Sequence, residues 1–406
     1  MPGGRPPLIM ERVLSASEKG VAGSGVGPVF AVARVAGTVD ARILADALEI
    51  LAAENPLLRG KVVGDRLLVG DHGPGLGVGG DLLAESTTSR NGVARALLSG
   101  ADVALGVEHA FADGRFCVTM LYRLLSHYGE LAAGRSVRPD PAGPLEPPLD
   151  VRLRGVYHHF DDLPEPPPLV ARLPAGHPDA TGYGVRGLGF GRAETTGMIT
   201  AARRARLSVH ALLGGILTAA LHAELEPNPA PLLVTSSVDL RPRLARPVRP
   251  DAGLNCIGDL PAVLTGPACP VGFGRQLMPQ LRAGLEREVP QRRFAMVFCG
   301  PGPQTAFTPA SLAISNLGRL EAPVGLDVTS VRFFTTAPGP TPLVFVTTVD
   351  GRLNVDVTYD RAQVSEARVS GWTAHVRRLL VSTCSCARVA VSRDGTDDSR
   401  DQVDDS

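Results

Sequence analysis

Apolar and polar residues alternate along this chain with two different periods, which predict a mixture of strands and helices. Short apolar runs at residues 30–36 and 103–107 are typical of buried strands. Other stretches repeat apolar residues every three or four positions, as amphipathic helices do. The clearest of these follows Gly114 and places on one face Phe116, Met120, Leu121, Leu124, Leu125 and Tyr128. We therefore expect an α+β protein.

Local signals mark further elements in the first half of the chain. Asp40 is placed to cap a helix that carries the apolar residues of segment 43–51. Gly64-Asp65 separates two short apolar runs, which predicts a hairpin. We expect residues 93–98 to form a short helix and the glycine-rich residues 73–80 to lack regular structure.

The second half repeats the mixture of strands and helices. The strands predicted there are 185–190, 232–238, 312–314, 328–335, 343–349 and 353–359. The helices predicted there are 194–206, 209–225, 273–288 and 366–380. Two half-chains of similar content indicate two lobes.

A cluster of prolines between residues 139 and 168 separates the two halves. Because proline disfavours helix interiors and central strands, we expect a crossover linker over residues 139–184. It would join an N-terminal lobe of residues 1–138 to a C-terminal lobe of residues 185–391. The acidic residues 392–406 carry few apolar side chains and are predicted to form a disordered tail.

Composition narrows the classes of function. The 406 residues are too many for one ordinary core, and 44% of them are hydrophobic, as in soluble globular proteins. The net charge of zero gives no electrostatic case for binding nucleic acid. The chain contains no run of about 18 apolar residues, so no membrane-spanning helix is predicted. The six cysteines lack the spacing of a zinc site, so we expect reduced thiols, no metal and a cytoplasmic location.

The candidate chemistry lies in the segment EHAFADG, residues 108–114. A strand delivers His109 to a loop, and Asp113 is placed to cap the helix that follows. An imidazole can take a proton from a hydroxyl or an amine near neutral pH. The spacing by itself is equally compatible with a loop histidine that has no catalytic role. Neighbouring residues of an extended chain point to opposite sides, so Glu108 and His109 are not expected to share a pocket.

Several segments resemble, in the same order, the condensation-domain and polyketide-associated acyltransferase family of the chloramphenicol acetyltransferase-like superfamily. The core motif of that family is HHxxxDG. His109, Asp113 and Gly114 match its last three defined positions, whereas Glu108 replaces its first histidine. The other similar segments are residues 44–59, which end in NPLLR, LSVHALLGGILTA at 207–219, VDLRPR at 238–243, residues 255–260 and SNLG at 315–318. The resemblance as a whole covers roughly residues 30–382.

The resemblance implies two chloramphenicol acetyltransferase-like lobes, each a mixed sheet with helices, and a substrate channel at their interface. It implies transfer of an acyl group from a thioester to a hydroxyl or amine of a specialised metabolite. The thioester would be an acyl-CoA or an acyl carrier protein with its phosphopantetheine arm. No permanently bound cofactor is expected, and the other partner is a small-molecule acceptor.

The resemblance also assigns roles to the central motif. His109 would be the general base of the transfer. Asp113 would be structural, paired with Arg241 of the second lobe or, as the second choice, with Arg243. Gly114 would permit a tight turn from the loop into the helix.

Three further residues each have two alternative roles. Ser315 and Asn316 are candidates to donate hydrogen bonds to the thioester oxyanion, although a turn in which Asn316 and Gly318 supply only local backbone bonds is at least as good an interpretation. Glu108 is expected to form a structural ion pair, and the alternative is that it helps the acceptor bind or indicates altered chemistry.

Two other functions fit the same sequence. One is a catalytically silent member of the family that docks a carrier protein. The other is a member that performs a different reaction, such as an intramolecular cyclisation. An open channel beside His109 would favour catalysis, and a filled one would favour docking.

Overall fold

The computed structural model describes residues 10–70, 73–87, 92–160, 163–165, 167, 169–225, 230–299, 309–321 and 326–394. Its strands are β1 (Met10–Val13), β2 (Val29–Val35), β3 (Gly60–Val63), β4 (Arg66–Val69), β5 (Leu76–Val78), β6 (Ala94–Ser99), β7 (Asp102–Val107), β8 (Tyr183–Phe190), β9 (Leu232–Asp239), β10 (Ile257–Leu264), β11 (Leu312–Leu320), β12 (Val328–Phe334), β13 (Leu343–Val349) and β14 (Arg352–Asp360).

The helices alternate with these strands along the chain. They are α1 (Ala16–Gly23), α2 (Ala41–Glu54), α3 (Leu82–Thr87), α4 (Gly114–Ala132), α5 (Leu149–Leu153), α6 (Arg192–Ala205), α7 (Val209–His222), α8 (Pro270–Glu286), α9 (Val289–Cys299) and α10 (Glu366–Asp394). Short 3₁₀ turns occupy Pro56–Arg59 and Arg241–Arg243.

The first lobe is built on a mixed sheet with strand order β12-β2-β7-β6-β5. Helices α2 and α4 pack against each other and against this sheet. Asp40 caps α2 as expected, since its side chain accepts hydrogen bonds from the backbone N–H groups of Arg42 and Ile43. The predicted hairpin is present as β3 and β4, which form a small separate sheet with β1.

The second lobe is built on a mixed sheet with strand order β10-β9-β11-β13-β14-β8. Strand β11 runs parallel to both of its neighbours, β9 and β13. Helices α7 and α10 pack together, and the fully buried Trp372 donates its indole N–H to the carbonyl of Leu217 at 3.0 Å. The expectation of an α+β protein with two lobes is thus confirmed.

Strand β12 ties the two lobes together. It comes late in the chain but pairs antiparallel with β2, at the edge of the first lobe's sheet. The hydroxyl of Thr347 on β13 donates to the carbonyl of Val331 at 2.7 Å, which joins β12 to the other sheet. The first lobe therefore contains a strand that lies beyond the predicted linker of residues 139–184.

Two local predictions were wrong. Residues 93–98 form strand β6 rather than a helix, because β6 is paired on both sides and buried almost throughout. A short apolar run does not distinguish these two structures by its period. The glycine-rich residues 73–80 contain strand β5, which pairs parallel with β6.

The end of the chain also differs from expectation. Helix α10 continues to Asp394 instead of ending at residue 380. The remainder of the predicted acidic tail, residues 395–406, lies outside the described residues. Among the described residues, no single helix is long and apolar enough to cross a membrane. Helices α6 and α7 meet the criteria of length and composition only as a pair that bends by 100°.

A close approach of α7 to α8 generates a prediction about stability. A Cβ at Gly215 would overlap the carbonyl oxygen of Pro270 and lie 2.7 Å from the backbone nitrogen of Gly274. Gly215→Ala is therefore expected to push the helices apart and to cost about 1–3 kcal/mol of unfolding free energy. Gly143→Ala is the control, since a Cβ there meets nothing within 4 Å. Equal unfolding midpoints in urea for the two variants would contradict this packing.

Candidate functional site

Asp113 joins the two lobes and starts helix α4. Its Oδ1 accepts a hydrogen bond from the backbone N–H of Phe116 at 3.1 Å, which is the expected helix cap. Its Oδ2 accepts from Nη1 of Arg241 at 2.7 Å and from the backbone N–H of Cys256 at 2.8 Å. The capping role and the ion pair with Arg241 are thus both present. Arg243, the second choice of partner, is exposed.

The pair is almost completely withdrawn from water. The side chains of Arg241 and Asp113 are 2% and 1% exposed. Burial by itself would raise the pKa of Asp113, but the Arg241 charge and the hydrogen bonds to the carboxylate hold that pKa below its usual range. Nη2 of Arg241 donates to the carbonyl of Leu254 at 2.9 Å. The carboxylate therefore remains ionised and fixed in place.

The loop after Arg241 also holds the loop that carries His109. Nδ2 of Asn255 donates to the backbone carbonyl of His109 at 2.8 Å. Nearby, Nδ2 of Asn55 in the first lobe donates to the carbonyl of Asp251 at 3.1 Å. Sequence analysis placed Asn255 in a similar segment but assigned it no role, because a contact across 146 residues leaves no local signal.

The tautomer of His109 is set by its own loop. Nδ1 lies 2.8 Å from the carbonyl oxygen of Ala112. Since a carbonyl only accepts hydrogen bonds, Nδ1 carries the proton and Nε2 keeps its lone pair. Burial lowers the pKa of His109, with the hydrogen bond to Ala112 and the charge of Asp113 acting in the opposite sense. The imidazole is therefore neutral at neutral pH and able to accept a proton at Nε2.

His109 lines a cavity of about 380 Å³ between the lobes. The first lobe contributes His109, in the loop that follows β7, and Gly114 at the start of α4. The second lobe contributes one face of its sheet together with helix α9. The lining includes His109, Gly114, Thr235, Ser237, Asp259, Arg293, Phe294, Phe298, Ser315 and Phe345. A cavity of this size accommodates a small-molecule ligand.

Ser315 and Asn316 are separated by the structure. Ser315 lines the cavity with His109. Asn316 does not, because its Oδ1 accepts from the backbone N–H of Gly318 at 2.8 Å and its Nδ2 lies 3.4 Å from Nδ1 of His210. Of the two candidates for an oxyanion donor, only Ser315 shares the cavity with the histidine.

Glu108 lies apart from the cavity that His109 lines. Burial raises the pKa of Glu108 to about 7, and the charge of Arg95 offsets only part of that effect. A large fraction of this carboxyl group is therefore protonated at neutral pH, which weakens the ion pair expected from the sequence.

Gly114 has a packing role, since a Cβ there would lie 2.6 Å from the ring of Phe333.

Two charged residues of the cavity were missed by sequence analysis. Asp259 on β10 and Arg293 on α9 both line it. Alternation along β10 was the available signal, because Ile257, Asp259 and Pro261 occupy every second position and all three line the cavity. Among the described residues, no group of three or more His, Cys, Asp or Glu side chains could hold a metal ion.

One family profile matches the second lobe. Residues 182–358 match the profile described as phthiocerol/phthiodiolone dimycocerosyl transferase C-terminus. No curated protein sequence is similar enough to be matched with the chain.

Solved structures match nearly the whole chain. Polyketide synthase associated protein 5 from Mycobacterium tuberculosis is 22% identical with a TM-score of 0.68, and the match covers 94% of this chain and 99% of that one. The first condensation domain of the calcium-dependent antibiotic synthetase is 14% identical with a TM-score of 0.66, and the match covers 93% and 96%. Trichothecene 15-O-acetyltransferase from Fusarium sporotrichioides is 13% identical with a TM-score of 0.63, and the match covers 92% and 95%. The resemblance to this superfamily is confirmed at the level of the fold.

The buried ion pair predicts a large and non-additive effect of substitution. Asp113→Ala leaves Arg241 buried without its partner, so we expect a loss of about 3–5 kcal/mol in unfolding free energy, measured by urea denaturation. The double variant Asp113→Ala/Arg241→Ala should lose less than the sum of the single variants, because it leaves no unpaired charge. Arg34→Ala, which breaks an exposed pair with Asp102, is the control and should lose far less. Equal losses at both sites would contradict the assignment.

The raised pKa of Glu108 predicts that replacing this residue changes how the stability of the protein depends on pH. Because its pKa rises from 4.5 to about 7 on folding, the stability that it contributes at low pH is lost as the pH rises through that interval. Glu108→Gln keeps the group neutral. The variant is expected to match wild type near the lower pKa and to exceed it above the upper one by about 1–3 kcal/mol. Parallel stability profiles of the two proteins across this pH range would show that Glu108 titrates normally.

Proposed function

We propose that this chain, which has the two-lobed fold of condensation domains and related acyltransferases, transfers an acyl group from a thioester to a hydroxyl or amine of a small-molecule acceptor. The donor would be an acyl-CoA or an acyl carrier protein with its phosphopantetheine arm. The observation that carries the proposal is His109, a neutral imidazole beside the interlobe cavity with Nε2 as its proton acceptor. The expected cytoplasmic location is part of this proposal and rests on the sequence alone.

The proposed reaction has two steps and needs one base. His109 Nε2 takes the proton of the acceptor while the acceptor oxygen or nitrogen attacks the thioester carbonyl carbon. The resulting oxyanion receives a hydrogen bond from the hydroxyl of Ser315. The carbon–sulfur bond then breaks, and the thiolate recovers the proton from His109. General-base catalysis of this kind contributes about 10²- to 10⁴-fold in rate.

Direct transfer is favoured over a covalent enzyme intermediate by the state of the buried cysteines. Burial raises the pKa of Cys117 to about 12 and that of Cys256 to about 12. Both therefore stay as thiols at neutral pH, and a thiol is a poor nucleophile. Neither lines the cavity with His109.

The cavity also weighs against the docking function. A silent homologue that only binds a carrier protein has no need of space beside the histidine, whereas about 380 Å³ is available here. An intramolecular cyclisation would use the same base and the same space. Identification of the product distinguishes cyclisation from transfer to a second molecule.

His109→Ala is expected to lower acyl transfer by at least about 10²-fold while thioester binding survives, because the variant loses only the proton acceptor. The assay is intact-mass detection of products from a panel of acyl thioesters and alcohol or amine acceptors. In wild type, kcat/KM should fall as the pH drops through the lowered pKa of His109, because a protonated imidazole accepts no proton.

Two variants serve as controls for this test. His177→Ala removes a histidine that is 75% exposed, and Glu108→Gln alters the neighbour of His109 outside the cavity. Both should retain most of the activity. Wild-type turnover in His109→Ala would refute the general-base role. The docking function or a different reaction would then be the favoured interpretation.

A further inference from the structure

A carboxylate and a guanidinium lie in a cavity wall that is otherwise largely apolar. Asp259 points from β10 into the cavity, and Arg293 lines the same space from α9. The surrounding wall includes Ile257, Phe294 and Phe298, and the two phenylalanine rings lie 4.7 Å apart between their centres. An ionised side chain in such surroundings loses hydration that needs to be replaced.

The protein itself replaces that hydration only in part. In the part of the chain that the structure describes, the Asp259 carboxylate accepts no hydrogen bond. Burial raises the pKa of Asp259 to about 6 even though the charge of Arg293 acts in the opposite sense. Ser237 lies directly opposite Asp259 in the β9–β10 ladder, so its hydroxyl belongs to the same face of the sheet. The carboxylate thus has acceptor capacity that is directed into the ligand space.

Asp259 and His109 line the cavity from different elements, strand β10 and the loop after β7. Asn255, whose amide bonds the backbone of His109, precedes Asp259 by four residues. A substrate group that meets Asp259 is therefore distinct from the carbonyl or hydroxyl that reacts at His109.

We propose, on the basis of acyl transfer at His109, that Asp259 is a specificity-determining residue that accepts a hydrogen bond from a hydroxyl group on a remote part of the substrate. A hydroxyl fits this environment because it donates to the carboxylate and accepts from a neighbouring donor such as Ser237. An ammonium group would meet the positive charge of Arg293, and a carboxylate would be repelled by Asp259. An alkyl chain would leave the buried carboxylate without a partner.

The test compares hydroxylated substrates with alkyl substrates of the same length. One arm offers ω-hydroxyacyl-CoA and acyl-CoA donors with a simple alcohol as acceptor. The other arm offers diols and mono-alcohols as acceptors with a simple acyl-CoA donor. Wild type is expected to prefer the hydroxylated compound by about 10- to 100-fold in kcat/KM in one arm, which identifies the substrate that carries the hydroxyl.

Variants of Asp259 test whether the preference for hydroxylated substrates depends on this residue. Asp259→Leu should abolish the preference, because no carboxylate is left to accept the hydrogen bond of the substrate hydroxyl. Asp259→Asn keeps an acceptor oxygen without the charge, so it should retain a reduced preference, and it carries the test if the leucine variant does not fold. Asp179→Leu, at a side chain that is 91% exposed, is the control and should keep the full preference.

A binding measurement separates this inference from the proposed function. The affinities of ω-hydroxyacyl-CoA and acyl-CoA, or of a diol and a mono-alcohol, are compared in His109→Ala with and without Asp259→Leu. A preference for the hydroxylated compound that depends on Asp259 supports a hydroxyl-binding subsite at this residue, even if no acyl transfer is detected. If transfer depends on His109 but wild type shows no hydroxyl preference in either arm, or if Asp259→Leu keeps that preference, the subsite is refuted and the proposed function stands.

Discussion

The buried pair of Asp113 and Arg241 is the interaction on which the rest of the site depends. One carboxylate caps helix α4, receives the guanidinium of the other lobe and accepts the backbone N–H of Cys256. Because ions are costly to bury, this arrangement is stable only when both lobes are in register. The same register brings Asn255 against the backbone of His109. The position of the catalytic candidate therefore follows from a charge pair that never contacts a substrate.

The acidic and basic groups around His109 differ in charge state because their surroundings differ. Asp113 has a cation and several hydrogen-bond donors, so its pKa is lowered. Among the described residues, Glu108 and Asp259 have the charge of Arg95 or Arg293 nearby but no donor to the carboxyl group, and burial raises their pKa values. The histidine lies between these cases, neutral because it is buried. The local supply of hydrogen-bond donors thus decides which carboxyl group stays ionised.

Much of this arrangement could be predicted from local sequence signals. The cap at Asp40 and the hairpin of β3 and β4 follow from turn chemistry and periodicity, whereas the choice of Arg241 as partner follows from the family resemblance. Strand β6 was misassigned because its pairing with β5 and β7, rather than its own period, determines its structure. Asp259 and Arg293 were missed because they meet only when β10 and α9 form one wall. The local bond from the backbone N–H of Gly318 to Asn316, by contrast, was one of the two interpretations that the sequence allowed.

Strand β12 has a consequence for the order in which the chain acquires its structure during synthesis. Until residues 328–334 emerge from the ribosome, β2 is an edge strand with unpaired N–H and C=O groups. A ribosome that adds about 5–20 residues per second takes on the order of ten seconds or more to pass from β7 to β12. During that interval the edge strand β2 of the nascent first lobe can pair with strands of other chains. Its completion by a late, sequence-distant strand makes folding of this lobe dependent on the translation of the second.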